Sequence, residues 1–202
     1  MIGTGCFPTF LEQHPVTRAA FAYAEPMHRG QCRPDGTPFI LHPLEVASLL
    51  HRVGSPDHLI AAGVMHDVLE KTDATVSDLR ARFGLEITAL VLAVSDDDRI
   101  RGYGARKAAL RRQVAGAGDE ALALFAADKL SKLRELRRET LTGAEDRGSP
   151  ARPRELRVRR LRHYQRSLAL LEERLPNSPL VNELRDELDG FLRERPAPVR
   201  IP

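Results

Sequence analysis

Apolar side chains recur at helical spacing along nearly the whole chain, and that period leaves an α-helical bundle as the architecture able to bury them. Small and apolar positions from Phe10 to Ala24 fit one helix. A loop follows from Glu25 to Leu41, marked by Gly30, Pro34, Asp35-Gly36 and Pro38. His42-Pro43 opens the next helix, proline being suited to a first turn. Its apolar stripe is Leu44, Ala47, Leu49 and Leu50, and Gly54-Ser55-Pro56 ends it. A helix predicted over Asp57–Glu70 is apolar on most sides and therefore central. Thr75, with Asp78 three residues on, caps a short helix to Phe83, which Gly84 breaks. Leu85–Val94 has a strand-like composition, but Leu90, Val91 and Val94 share a helix face, so helix is preferred. After a polar loop, Asp96–Gly104, come a basic helix over Ala105–Ala115, a break at Gly116–Gly118 and a long helix from Asp119 to about Thr140. A linker over Gly143–Pro153 precedes two amphipathic helices, Arg154–Leu175 and Pro179–Glu194. The expected fold is all-α, about eight or nine helices, with residues 1–145 as the core and 146–202 as a linker and C-terminal helices. Those helices carry Leu168, Leu170, Leu171, Leu184, Leu188 and Leu192, which pack on the core or form a homo-oligomer seam.

A chain of 202 residues corresponds to roughly one domain with a sizeable core. Cys6 and Cys32 alone exclude a disulfide scaffold and a cysteine-cage zinc fold. No apolar run reaches the ~18 residues of a membrane helix, and MIGTGCFPTF lacks the pattern of a signal peptide. A cytoplasmic setting with no membrane partner is the expectation. Net charge is +3, enough to favour anionic small molecules but not to mark a nucleic-acid binder, and aromatics are only 5%.

Ionisable residues inside apolar helices carry the chemistry, because a buried unpaired charge costs several kcal/mol. His66-Asp67 lies in the central helix; Asp128 lies in Ala126-Ala127-Asp128-Lys129-Leu130; His42 opens a helix after the Gly/Pro loop. Glu70 is four residues from His66 and three from Asp67, on the same helical face. A buried hydrogen-bonded pair would explain one His-Asp dipeptide. Two imidazoles and two carboxylates from three helices instead suit a divalent ion such as Mn²⁺ or Fe²⁺ with open positions for water.

His42, His66-Asp67 and Asp128 resemble the H…HD…D signature of the HD phosphohydrolases. Ala22-Tyr23-Ala24, His28-Arg29-Gly30-Gln31-Cys32-Arg33, Asp35-Gly36-Thr37-Pro38 through His42-Pro43, Ala62 through Glu70, Phe83-Gly84 and Ala127-Asp128-Lys129-Leu130 are similar to the hydrolase half of Rel/Spo enzymes over about 60% of the chain. The synthetase module of that family has no counterpart here, so the architecture expected is that of stand-alone small alarmone hydrolases, an HD-domain bundle with a C-terminal extension. The resemblance implies Mn²⁺ (or Fe²⁺ or Mg²⁺) held by His42, His66, Asp67 and Asp128. It also implies removal of the 3′-pyrophosphate of (p)ppGpp, Arg33 stacking on the guanine, and Glu70 accepting or relaying a proton from water that the ion acidifies.

Several positions depart from that pattern. Lys71 replaces the second acidic residue of the family's Glu-Asp pair; it either clamps phosphate, lowers the rate or turns to solvent. Lys132 and Glu135, on the Asp128 face, stand where relatives have Asn and Thr against the nucleoside. Pro34 and Phe125 replace lysines. Substrate contacts are thus assigned to Arg33, His28, Arg106, Lys107, Lys132 and Glu135, and catalytic roles to Glu70 and Lys71. Alternatives are the same hydrolysis on NADPH or a nucleoside phosphate, or a catalytically weak nucleotide-binding regulator.

Other features read blandly. His14, His51, His58 and His163 are assigned to the surface, and Asp96-Asp97-Asp98 to a polar loop. The arginines between Arg152 and Arg166 spread around their helix; an RNA-binding role for them is the less favoured reading.

Overall fold

The computed structural model describes residues 9–142 and 151–193. Among them every regular element is a helix: α1 (Phe10–Gln13), α2 (Pro15–Met27), α3 (Leu41–Arg52), α4 (Asp57–Met65), α5 (Val68–Lys71), α6 (Val76–Val94), α7 (Tyr103–Ala115), α8 (Asp119–Thr142), α9 (Ala151–Arg174) and α10 (Pro179–Arg193). The all-α class is as the periodicity requires. None of the described helices is long and apolar enough to cross a membrane.

Three boundaries differ from the sequence reading. The first helix divides at His14, which leaves the helical conformation before Pro15 because a pre-proline residue is disfavoured in helix. The helix predicted over Asp57–Glu70 divides at His66-Asp67 into α4 and α5. Most of the expected linker, residues 143–150, lies outside the described residues, and Ala151–Pro153 already belong to α9. Gly84 breaks its helix as expected, with φ +80°, a conformation other residues avoid. Thr75 and Asp78 form the full capping box: the Asp78 amide donates to Thr75 Oγ1 at 3.1 Å, and the Thr75 amide donates to Asp78 Oδ2 at 3.1 Å.

The core is built around α4. Leu59 through Met65 are all buried, because α4 is enclosed by α2, α3, α6 and α8. Gly63 sets its distance from α3: a Cβ there would lie 2.9 Å from Leu50 Cδ1 and 3.3 Å from Ala47 Cα. The C-terminal helices complete the same core. Leu168, Leu171, Leu184 and Leu188 are buried, Leu170 is partly buried and Leu192 is exposed. Helix α10 packs on α8 and α9, and α9 on α7 and α8. Glu183 of α10 is clamped by Arg52 of α3 and Arg134 of α8.

Candidate metal centre and active site

Five close approaches bring the predicted ligands together. His42 stands at the start of α3, His66 and Asp67 in the turn between α4 and α5, and Asp128 in the middle of α8; all four are 2% exposed. In a continuous helix, His66 and Asp67 would point ~100° apart. Because the helix stops there, with Asp67 at φ −97° and ψ −4°, His66 Nε2 and Asp67 Oδ2 lie 3.4 Å apart. His42 Nε2 is 3.1 Å from His66 Nε2, 3.6 Å from Asp67 Oδ2 and 3.3 Å from Asp128 Oδ1. His66 Nε2 is 3.4 Å from Asp128 Oδ1.

The outer nitrogens are held by the protein. His66 Nδ1–H donates to the Gly63 carbonyl at 2.8 Å, and His42 Nδ1 shares a hydrogen bond with Ser131 Oγ at 2.9 Å. Both Nε2 atoms are thereby turned inward, as metal-binding histidines require. Asp67 Oδ2 is buried with no hydrogen-bond partner among the described residues, and Asp128 Oδ1, also buried, faces the Lys132 ammonium at 2.9 Å. Buried orphan oxygens are uncommon and call for an explanation. Two inward imidazole nitrogens and two buried carboxylate oxygens at one point fit a divalent cation of the imidazole–carboxylate type.

Electrostatics keep His42, Asp67 and Asp128 in ligand form. Burial lowers His42 to about 4. Burial works to raise both carboxyls. His66 and Lys132 outweigh it at Asp67, and Lys129 and Lys132 at Asp128, so both stay well below the usual carboxylate range. Burial opposes a proton on His66, but Asp67 and Asp128 overcome it and raise that imidazole. The cluster thus attracts positive charge.

Above the cluster opens a cavity of about 400 Å³, bordered by His42 and Asp67 and by most of the other predicted residues. Arg33 is presented by a tight turn: Asp35 Oδ1 accepts from the Thr37 amide at 2.9 Å, and the Arg33 amide donates to the Thr37 carbonyl at 2.8 Å. Its Nε lies 3.9 Å from Glu135 Oε1, while Nε and Nη2 are buried without a hydrogen-bond acceptor. Glu70 borders the cavity and accepts the Asp96 amide on Oε1 at 2.7 Å; burial, then the Asp67 charge, raise its carboxyl. Lys71 is exposed at the rim. Lys107 pairs with Asp96 at 2.6 Å and Arg106 lies 3.4 Å from the same carboxylate. Lys132 Nζ is 2.9 Å from Asp128 Oδ1 and 3.7 Å from Asp67 Oδ1.

His28 does not border this cavity. It is buried behind Phe39, the two rings tilted with centroids 5.0 Å apart, with Nδ1–H donating to Gln31 Oε1 at 2.9 Å. Gln31 Nε2 in turn donates to the Lys71 carbonyl at 2.7 Å, tying the loop to α5. The sequence assigns His28 a substrate contact, but the neighbouring Phe39 covers the ring and keeps it out of the cavity lining. His163, assigned to the surface, is also buried, and with Arg160 and Tyr164 it brings α9 to the cavity wall. His14 and His51 meet at 2.9 Å, and His58 meets Glu120 at 2.9 Å, each half-buried. Asp96 is buried against Lys107 and Asp97 pairs with Arg99, so the Asp96-Asp97-Asp98 run does not converge. The reading also missed Lys129, buried beside Asp128 and 4.6 Å from the Phe125 ring, with its amine lowered by burial to about 8. Phe125 beneath Lys129 was the available signal. A roomier groove between α2 and α6 is lined mainly by Ala19, Ala22, Pro26, Met27 and Phe83, and lacks the groups such chemistry needs.

The HD domain profile matches residues 20–148. A GTP pyrophosphokinase of Streptomyces coelicolor is 36% identical over 121 residues, which are 58% of this chain and 14% of that protein. The mouse (Mus musculus) guanosine-3′,5′-bis(diphosphate) 3′-pyrophosphohydrolase is 38% identical over 125 residues, 60% of this chain and 69% of the relative. The solved structure of a metazoan ortholog of SpoT, described as hydrolysing ppGpp, superposes with a TM-score of 0.70 at 25% identity, covering 87% of this chain and 94% of the other. The chain spans about one seventh of the Streptomyces relative and about two thirds of the mouse one. The matched span contains the whole His42, His66, Asp67 and Asp128 cluster, and the chain belongs to the HD-domain family.

Proposed function

We propose that this chain is a divalent-cation-dependent phosphohydrolase that removes the 3′-diphosphate of a guanosine bis(diphosphate) nucleotide. One observation carries the reading: two buried carboxylate oxygens meet two inward imidazole nitrogens at the floor of a cavity lined by Arg33, Arg106, Lys107 and Lys132. His42, His66, Asp67 and Asp128 are the residues that would hold the cation, and manganese suits that donor set. When bound, such a cation supplies Lewis acidity toward water and a phosphoryl oxygen.

The chain's own residues supply the rest. Water adds across the bond between phosphorus and the 3′ oxygen, releasing diphosphate and leaving a 3′-hydroxyl. Glu70, raised above the ordinary carboxyl range and with Oε2 unengaged among the described residues, is the group that takes the proton from the attacking water. Arg106 and Lys107 hold phosphate oxygens, and Lys132 offsets charge next to the cluster. Arg33, with two unsatisfied buried donors, and Glu135 beside it, form the wall against the nucleoside. Residues 1–145 carry this chemistry, and 146–202 add the α9 wall. Lys71 lies at the rim and does not plug the cluster, which favours an enzyme over a regulator.

The test is diphosphate release from guanosine bis(diphosphate) with Mn²⁺, beside NADPH and nucleoside phosphates. Release is expected, with Asp128→Asn slowing it at least about 100-fold. Release indifferent to chelator and to Asp128→Asn overturns the reading. Turnover seen only in Lys71→Asp assigns the wild type to the regulatory class.

A further inference from the structure

The arginines of α9 do not scatter uniformly. Arg160 turns to Glu139 at 3.1 Å. Arg159, Arg162 and Arg166, spaced three and four residues apart, form one stripe. They meet Lys107 and Arg111 of α7 and, with His163, line a cleft of about 230 Å³. Lys107 has Asp96 at 2.6 Å, and Arg159 has Glu155 at 3.9 Å. Arg111, Arg162 and Arg166 have no carboxylate within ion-pair distance among the described residues. Like charges so gathered repel, and an anion relieves that repulsion.

A second observation is independent of the charge count. Arg111 Nη1 lies 2.8 Å from His163 Nδ1. A guanidinium only donates, so Nδ1 accepts and the ring proton sits on Nε2. His163 is 5% exposed and Nε2 has no partner among the described residues. A buried N–H without an acceptor points to an acceptor that is not protein. The volume is below the ~300–1,000 Å³ of sites for drug-sized ligands, which suits a phosphate chain better than a nucleoside. Tyr103, Lys107 and His163 border both this cleft and the candidate active cavity.

We propose that the α7–α9 cleft is a second anion site that binds an oligophosphate group next to the active cavity. Two sources offer this chemistry: the unreacted diphosphate arm of the substrate, or a free oligophosphate. The first rests on the hydrolase reading; the site itself does not.

The test is calorimetric titration of the full chain with inorganic diphosphate, with and without EDTA, against an Arg162→Glu/Arg166→Glu variant. Both positions are exposed, and circular dichroism checks that the variant folds. Wild type is expected to bind saturably, more weakly in salt, and the variant at least about tenfold more weakly in EDTA. Absent binding, or binding equal in the variant, overturns the proposal. A KM raised for the bis(diphosphate) but not for a nucleotide lacking the 5′-diphosphate identifies the substrate arm. Unchanged KM values, with a rate response to free diphosphate that the variant loses, identify a separate ligand. Intact binding without any hydrolysis rejects the hydrolase reading and leaves the site standing.

Discussion

Lys132 shows how one side chain sets the charge of a whole centre. Its ammonium is 2.9 Å from Asp128 Oδ1 and 3.7 Å from Asp67 Oδ1, so it offsets both carboxylates before any ion arrives. Two unit charges 4 Å apart interact by about 4 kcal/mol at an effective dielectric of 20, so this lysine opposes a second cation. Lys132→Asn is expected to tighten Mn²⁺ binding at least about tenfold, read by competition with a chelating dye. Equal or weaker affinity contradicts the assignment. Helical register placed Lys132 on the Asp128 face, which the sequence alone allows. Its approach to Asp67, a residue of another segment, depends on where α5 begins.

Between elements, small contacts decide whether the ligands meet. Gly63 leaves room for Ala47 and Leu50 of α3, and its carbonyl also orients His66. Gly63→Val overpacks that contact; a loss of about 1–3 kcal/mol in urea unfolding is expected, with weaker Mn²⁺ binding. Helices α2 and α4 are joined by Asp57, whose carboxylate accepts the Val16 and Thr17 amides, each at 2.9 Å, and Thr17 Oγ1 at 2.6 Å. Burial acts to raise this carboxyl, but those hydrogen bonds outweigh it and the net shift is downward. A folded-state value below the unfolded one (about 3.9) gives stability that is fully present above that pH and lost as pH falls through the folded value. Asp57→Asn is expected to be less stable at neutral pH and to lose less of its remaining stability on acidification, measured by urea midpoints between pH 7 and 3. An unchanged acid slope contradicts this.

For the whole molecule, α9 and α10 are part of the core that carries the site. Leu171 is fully buried, and Arg160, His163 and Tyr164 of the same helix border the cavity. Leu171→Ala is expected to cost about 2–5 kcal/mol in a single unfolding transition. Two separate transitions would mean that the C-terminal helices form their own unit. Ion binding should also stabilise the fold: Mn²⁺ at 100 times its Kd adds about 2.7 kcal/mol, an increment that Asp128→Asn is expected to lose in thermal melts.

The amino-acid order alone determined the helical class, most helix boundaries and the identity of the four converging side chains. Periodicity, caps and glycine breaks act within a few residues, and a charged group in an apolar helix announces itself locally. It did not reveal the turn at His66-Asp67, the burial of His28 and His163, or the sorting of the α9 arginines between Glu139 and the cleft with α7. Those depend on which surfaces face one another across long stretches of chain. Burial and charge pairing are properties of assembled neighbours, so tertiary packing alone decided them.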